Sequence, residues 1–229
     1  MISLSDTNLS LLQDAEGNHC SSFPTVLLHV MWRAAKIARV EHLPVSSAQE
    51  SGSLAKQVLL LLHETELFDA HIWATTLLSR SPVSDLSSRT HVASAHCIAV
   101  RIYLCRLLLL LDPKTQLSNN LESLAIEAIC HMANIRTCDA LFTATTWPAF
   151  IAGAETNNLH NRAWIVQRFA ELWEVEPWGT VRGALDVLRG IWSEKEGLLV
   201  GGQDARREGP SDGNWIVRLR QTGVDWLII

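Results

Sequence analysis

The sequence predicts an all-α fold, a multi-helix array of layered or solenoid-like form, in a single domain over residues 1–229. Three observations carry this expectation. Hydrophobic residues make up 48% of the chain and aromatic ones 7%, with leucine dominant, so a sizeable core can form from side chains that suit helices. Alternating runs of Val, Ile and Thr, the mark of half-buried strands, are scarce. Apolar residues instead recur three and four positions apart. The length stays below the ~250–300 residues at which single cores stop growing, and no linker long enough to divide the chain interrupts it.

The elements follow in order. Pro24, preceded by Phe23, opens a first helix with Leu27, Val30, Ala34, Ile37 and Ala38 on one face and His29, Arg33 and Lys36 opposite. Residues 44–53 read as a loop. A helical tract over 54–78 is expected to place Leu67, Ala70, Ala74 and Leu78 together, and residues 79–88, with Pro82, form the next break. Ala93, Cys97, Val100, Leu104, Leu107, Leu108 and Leu111 mark a long buried helix. It stops at Asp112-Pro113, because proline has no N–H to give a continuing helix. The apolar run 102–111 is broken by Arg106 and is shorter than the ~20 residues a membrane span needs. It therefore reads as a core helix, in a soluble chain with no membrane partner.

Asn119 and Glu122 have the spacing of an N-terminal cap, followed by a stripe of Leu121, Leu124, Ala125, Ala128, Ile129, Met132 and Ile135. Trp147-Pro148 opens a short helix, with proline in its first turn. Asn157 or Asn158 caps the next, which should turn Val166, Phe169, Ala170 and Trp173 inward. A helix over 180–196 buries Val181, Ala184, Leu185, Leu188 and Trp192, and its Gly183 and Gly190 suit a close helix approach. Residues 198–213 read as a flexible surface loop, and 215–220 and 224–229 as two short terminal pieces, the last packed on the body.

The chemistry that the sequence excludes is extensive. A formal charge of −5, with no basic cluster larger than Arg206-Arg207, argues against direct nucleic-acid binding, which needs clustered Lys and Arg. Five cysteines, Cys20, Cys97, Cys105, Cys130 and Cys138, are odd in number and irregular in spacing, with no Cys-x-x-Cys. They read as reduced thiols of an intracellular protein, and no metal or other cofactor is expected. His91, His96 and Cys97, like Cys130-His131, are poorly placed to share a ligand on one helix face. The first twenty residues lack the charged and apolar regions of a signal peptide. His63-Glu64 lacks the second histidine of a zincin helix, and no nucleophile elbow or phosphate-binding loop occurs. No catalytic residue is assigned. Glu155 and Arg162 flank a short link between helices and could pair to fix its geometry. Trp164 falls on a polar helix face with His160, Gln167, Arg168 and Glu171, which makes Trp164 and Arg168 a candidate interaction surface.

The run Thr146-Trp147-Pro148-Ala149-Phe150-Ile151-Ala152-Gly153-Ala154-Glu155-Thr156, then Arg162, then an amphipathic run to Trp192 and a terminal Asp225-Trp226-Leu227-Ile228-Ile229, resembles the C-terminal part of the fungal-specific transcription factor domain. The likeness is best over 120–229. It implies that Trp147, Pro148, Phe150, Gly153, Glu155, Arg162 and Trp192 are structural motif positions. It also implies a regulatory domain in the nucleus that acts through protein partners, self-association or a small-molecule effector, including control of secondary-metabolite genes. The zinc binuclear cluster, basic linker and coiled coil that accompany such domains are not in this sequence. The chain begins at Met1 just before helical material, which leaves open a piece of a longer regulator, a shortened reading frame or a stand-alone module. The alternatives are a small-molecule-binding protein or helical enzyme of a biosynthetic cluster, and a purely structural scaffold.

Overall fold

The computed structural model describes residues 23–40, 48–78, 85–200 and 214–221. Its helices are α1 (Thr25–Val40), α2 (Ala48–Glu66), α3 (Ala70–Leu78), α4 (Leu86–Leu111), α5 (Leu121–Ala133), α6 (Thr146–Glu155), α7 (Leu159–Val175), α8 (Gly179–Val200) and α9 (Trp215–Gln221). A 3-10 turn, Phe142–Thr145, leads into α6. No strand occurs among the described residues, so the all-α expectation holds.

An aspartate bounds each end of the longest helix. Asp85 caps the start of α4 by accepting from the Ser88 N–H at 3.1 Å. At the other end the Asp112 N–H donates to the Leu108 carbonyl at 2.8 Å before Pro113 stops the chain. Between these caps α4 is buried nearly all round, including Val92, Ile98, Ile102, Tyr103, Leu104 and Leu107. It is long and apolar enough to cross a membrane by length and composition, but 67% of its most apolar stretch is buried inside the protein. A helix apolar on every side needs neighbours on every side, and α4 packs against α1, α2, α3, α5 and α6. The C-terminal half continues from α6, on which α5, α7 and α8 all pack.

Several local expectations need correction. Residues 48–53 are the first turns of α2 rather than loop; Ser51 Oγ donates to the Leu111 carbonyl at 2.7 Å, which anchors that turn on the end of α4. The tract 54–78 is broken after Glu66, where Leu67 is 72% exposed and leaves the face it was to share. Asp69 supplies the reason by capping α3, accepting from the Ile72 N–H at 2.9 Å. Asn120, not Asn119, caps α5, with its side chain accepting from Glu122 N–H. The inward face of α7 is Arg162, Ile165, Arg168, Phe169 and Leu172; Ala170 is exposed, and Val166 and Trp173 are half-buried. Leu185 is half-buried while Val181, Ala184, Leu188 and Trp192 are core. Helix α8 extends to Val200, so the first residues of the expected 198–213 loop are helical. The remainder of that loop, residues 44–47 and 79–84, and the terminal piece 224–229 lie outside the described residues.

Candidate functional site

The motif helix α6 is the most enclosed short element, with every residue from Pro148 to Glu155 buried. Pro148 sits in its first turn, where a missing N–H costs nothing. Phe150 meets the Trp215 ring edge-on at 6.2 Å. Gly153 is favoured by close packing rather than by a turn. A Cβ there would lie 3.0 Å from Leu188 Cδ1 and 3.1 Å from Ile165 Cγ2, so the side chains of α7 and α8 close on this glycine. The Gly153 carbonyl accepts from Trp192 Nε1 at 2.8 Å, which fixes α8 across α6.

Glu155 closes the helix, and its carboxylate is fully buried. A carboxylate at a helix C-terminus faces the negative end of the dipole, so it needs cations. Arg106 of α4 donates Nε to Oε1 and Nη2 to Oε2, each at 2.6 Å, in a bidentate pair. Trp215 Nε1 donates to Oε1 at 2.6 Å, and Asn214 donates its amide to the Arg106 carbonyl at 3.0 Å. Lys195 of α8 caps the same end, with Nζ 2.9 Å from the Ala154 carbonyl and 3.2 Å from that of Glu155. Burial pushes the Lys195 pKa below its ordinary value, and Glu155 pulls partly against that. One carboxylate thus holds α4, α6 and α9 together, with α8 fastened alongside.

The link 156–158 is tied down on both sides. Glu122 of α5 accepts from Thr156 Oγ1 at 2.6 Å and from the Asn157 N–H at 2.7 Å. Asn158 then caps α7 by accepting from the His160 and Asn161 N–H groups. Arg162 donates Nε to the Thr156 carbonyl at 3.3 Å and pairs through Nη1 with Glu196 at 2.5 Å. Glu155 and Arg162 are therefore not partners of each other. Each reaches a helix remote in sequence, which adjacency in the chain cannot reveal.

The Trp164–Arg168 surface is also different from expectation. Arg168 is 5% exposed, so it offers no docking charge. Its guanidinium donates to the Ile135 carbonyl at 3.0 Å and the Met132 carbonyl at 2.8 Å, closing the end of α5. It lies between the rings of Phe142 and Trp164, 4.7 and 4.8 Å from their centroids. Trp164 is half-buried as one wall of this socket.

Two groups escaped sequence reasoning. His96 is buried beside Trp147, with rings 5.9 Å apart and 9° from parallel, and beside Phe23 at 4.3 Å. Neither ring nitrogen has a hydrogen-bond partner among the described residues. Burial pushes its pKa down to about 3, with the Ala144 backbone working weakly the other way. His91 and His131 face each other across α4 and α5 with Nδ1 atoms 3.0 Å apart, and burial, then His91, lowers the His131 pKa. A 40-residue separation hid this pair. No three metal-ligating side chains converge among the described residues. A six-cysteine cluster does not fit this chain: Cys97 and Cys105 are buried-helix thiols pushed up to about 11 by burial, and Cys130 and Cys138 are exposed.

Among the described residues the polar network of this all-α domain serves to lock helices together. The family model described as fungal specific transcription factor domain matches residues 23–227, and the chain belongs to that family, which is not an enzyme family. It is also similar to the acriflavine sensitivity control protein acr-2 of Neurospora crassa, at 29% identity over 227 residues. The alignment covers 96% of this chain and 36% of that relative, so the chain spans about a third of the relative's length. No solved structure matches the chain.

Proposed function

We propose that this chain is a regulatory region of a fungal transcription regulator, acting in the nucleus without contacting DNA itself and without catalysis. Its output is exerted through protein contacts or a small-molecule effector, on pathway genes such as those of secondary metabolism. The observation that carries this reading is family membership over 23–227 combined with the placement of its cations. Arg162 and Arg168 are buried on carbonyl and carboxylate oxygens, and Arg106 and Lys195 are committed to the Glu155 corner. Cations spent on carbonyls and carboxylates cannot neutralise phosphates. Exposed Leu60, Leu67 and Ile72 on α2, the turn after it and α3 supply apolar area for a protein partner. The relative named for control of acriflavine sensitivity supports an output concerned with small molecules.

The test is an anisotropy titration of the chain with CGG-containing duplexes at physiological salt. No sequence-selective binding is expected. Nanomolar, selective binding would refute the reading and require a DNA-contacting surface built from other residues.

A further inference from the structure

Between α2, α4 and the turn after α4 lies a cleft of about 250 Å³. That is near the small end of ligand pockets, which run from about 300 Å³ upward. Leu59, Leu62, Leu108, Leu117 and Leu124 give it an apolar wall. Arg101 is the one cation among its lining residues. Arg106, Arg162 and Arg168 each have oxygen acceptors within 3.3 Å, whereas the Arg101 guanidinium has no hydrogen bond or ion pair among the described residues. A half-buried guanidinium beside leucines, with no protein oxygen as acceptor among the described residues, is free to take an oxyanion in a charge-assisted hydrogen bond.

We infer that this cleft binds a small apolar monocarboxylate, with its tail on the leucines and its carboxylate on Arg101. The inference rests on the effector reading above and gives that effector a chemical class. Glu66 lines the same cleft, with one carboxylate oxygen 3.6 Å from His63 Nδ1. Its negative charge disfavours a phosphate or dicarboxylate, which selects a single charge. Cys105, on the cleft wall, has its thiol pushed up to about 11 by burial, so it is neutral near pH 7 and adds no second anion. Ser118 and Asn119 at the rim can donate to a carboxylate that Arg101 already holds.

Calorimetric titration of the full chain with octanoate, octanamide and octyl phosphate tests this. Octanoate is expected to bind at least about tenfold more tightly than either of the others. Arg101→Gln should remove that preference and leave octanamide unchanged, Arg101→Lys should keep part of it, and Leu117→Trp should abolish binding of all three by filling the cleft. Equal affinities for octanoate and octanamide, an unaltered preference in Arg101→Gln, binding that survives Leu117→Trp, or no binding of any probe would each overturn the inference. The duplex titration run on the same samples separates the two claims. Selective DNA binding sinks the regulatory reading whatever octanoate does, and loss of the octanoate preference sinks the cleft alone.

Discussion

Acid should unfold this protein in part through His96. The imidazole is buried against Trp147 and Phe23 with both nitrogens unpartnered among the described residues, and its pKa falls from 6.5 to about 3. In the unfolded chain the same group titrates near its ordinary value, so between these two pKa values the unfolded state holds more protons. Stability from neutral His96 is therefore fully present above about pH 6.5 and is lost as the pH falls. At about 1.4 kcal/mol per pH unit, the loss reaches roughly 3 kcal/mol by pH 4.5. Replacement by phenylalanine keeps an aromatic ring in the pocket and removes the proton site. At pH 7 His96→Phe should stay within about 1–2 kcal/mol of wild type, since removing unsatisfied nitrogens offsets the overpacking of a larger ring.

Urea unfolding followed by far-UV circular dichroism at pH 7 and 4.5 measures the difference. Asp85, held below its usual range by hydrogen bonds from the Ser88 backbone and side chain, and His131, lowered by burial, also favour unfolding in acid. Both are common to the two proteins and cancel. The variant should gain roughly 3 kcal/mol on wild type between the two pH values. A stability gap that is the same at both would show that His96 titrates normally, and the burial argument would fail.

Two further outcomes test the α6 corner. Trp192→Ala removes a core ring and the donor to the Gly153 carbonyl, and should cost about 3–5 kcal/mol in the same unfolding assay; a wild-type denaturation midpoint would mean that α8 is not fastened there. Glu155→Gln strips the counter-charge from Arg106 and points an amide donor at it, with an expected loss of about 3–5 kcal/mol; a loss below about 1 kcal/mol would show that water or another carboxylate takes over.

The sequence was most legible where one face of a helix decides the outcome. Helix α1, the stripe of α5 and the α8 core positions follow apolar spacing, and Pro113 and Asn158 mark boundaries by chemistry that acts within a few residues. Reading failed where a remote partner overrides local preference. Residues 48–53 contain Ser and Gly and look like loop, yet the first turns of α2 are held by Ser51 on the end of α4, 60 positions away. Glu122 has capping-box spacing, but its carboxylate serves Thr156 and Asn157 instead. The face of α7 differs from its apolar pattern because Arg168, on the polar side of the wheel, is buried, and Arg162 reaches Glu196 instead of its chain neighbour Glu155. A helical wheel scores charge as exposure and has no means of seeing a carbonyl socket.

Those arginines explain how a chain with little sequence chemistry specifies one arrangement of helices. Leucine contacts are non-directional, and α6 could slide or rotate against α4 and α8 with modest loss of apolar burial. The bidentate Arg106–Glu155 pair, the Trp192–Gly153 bond and the Arg168 socket each demand a particular register. A shift of one residue would leave a buried charge unpaired, at a cost of several kcal/mol. The contact at Gly153 adds a steric stop in the same place. Register is therefore set by charge and shape at the end of α6, while the apolar faces supply most of the driving force.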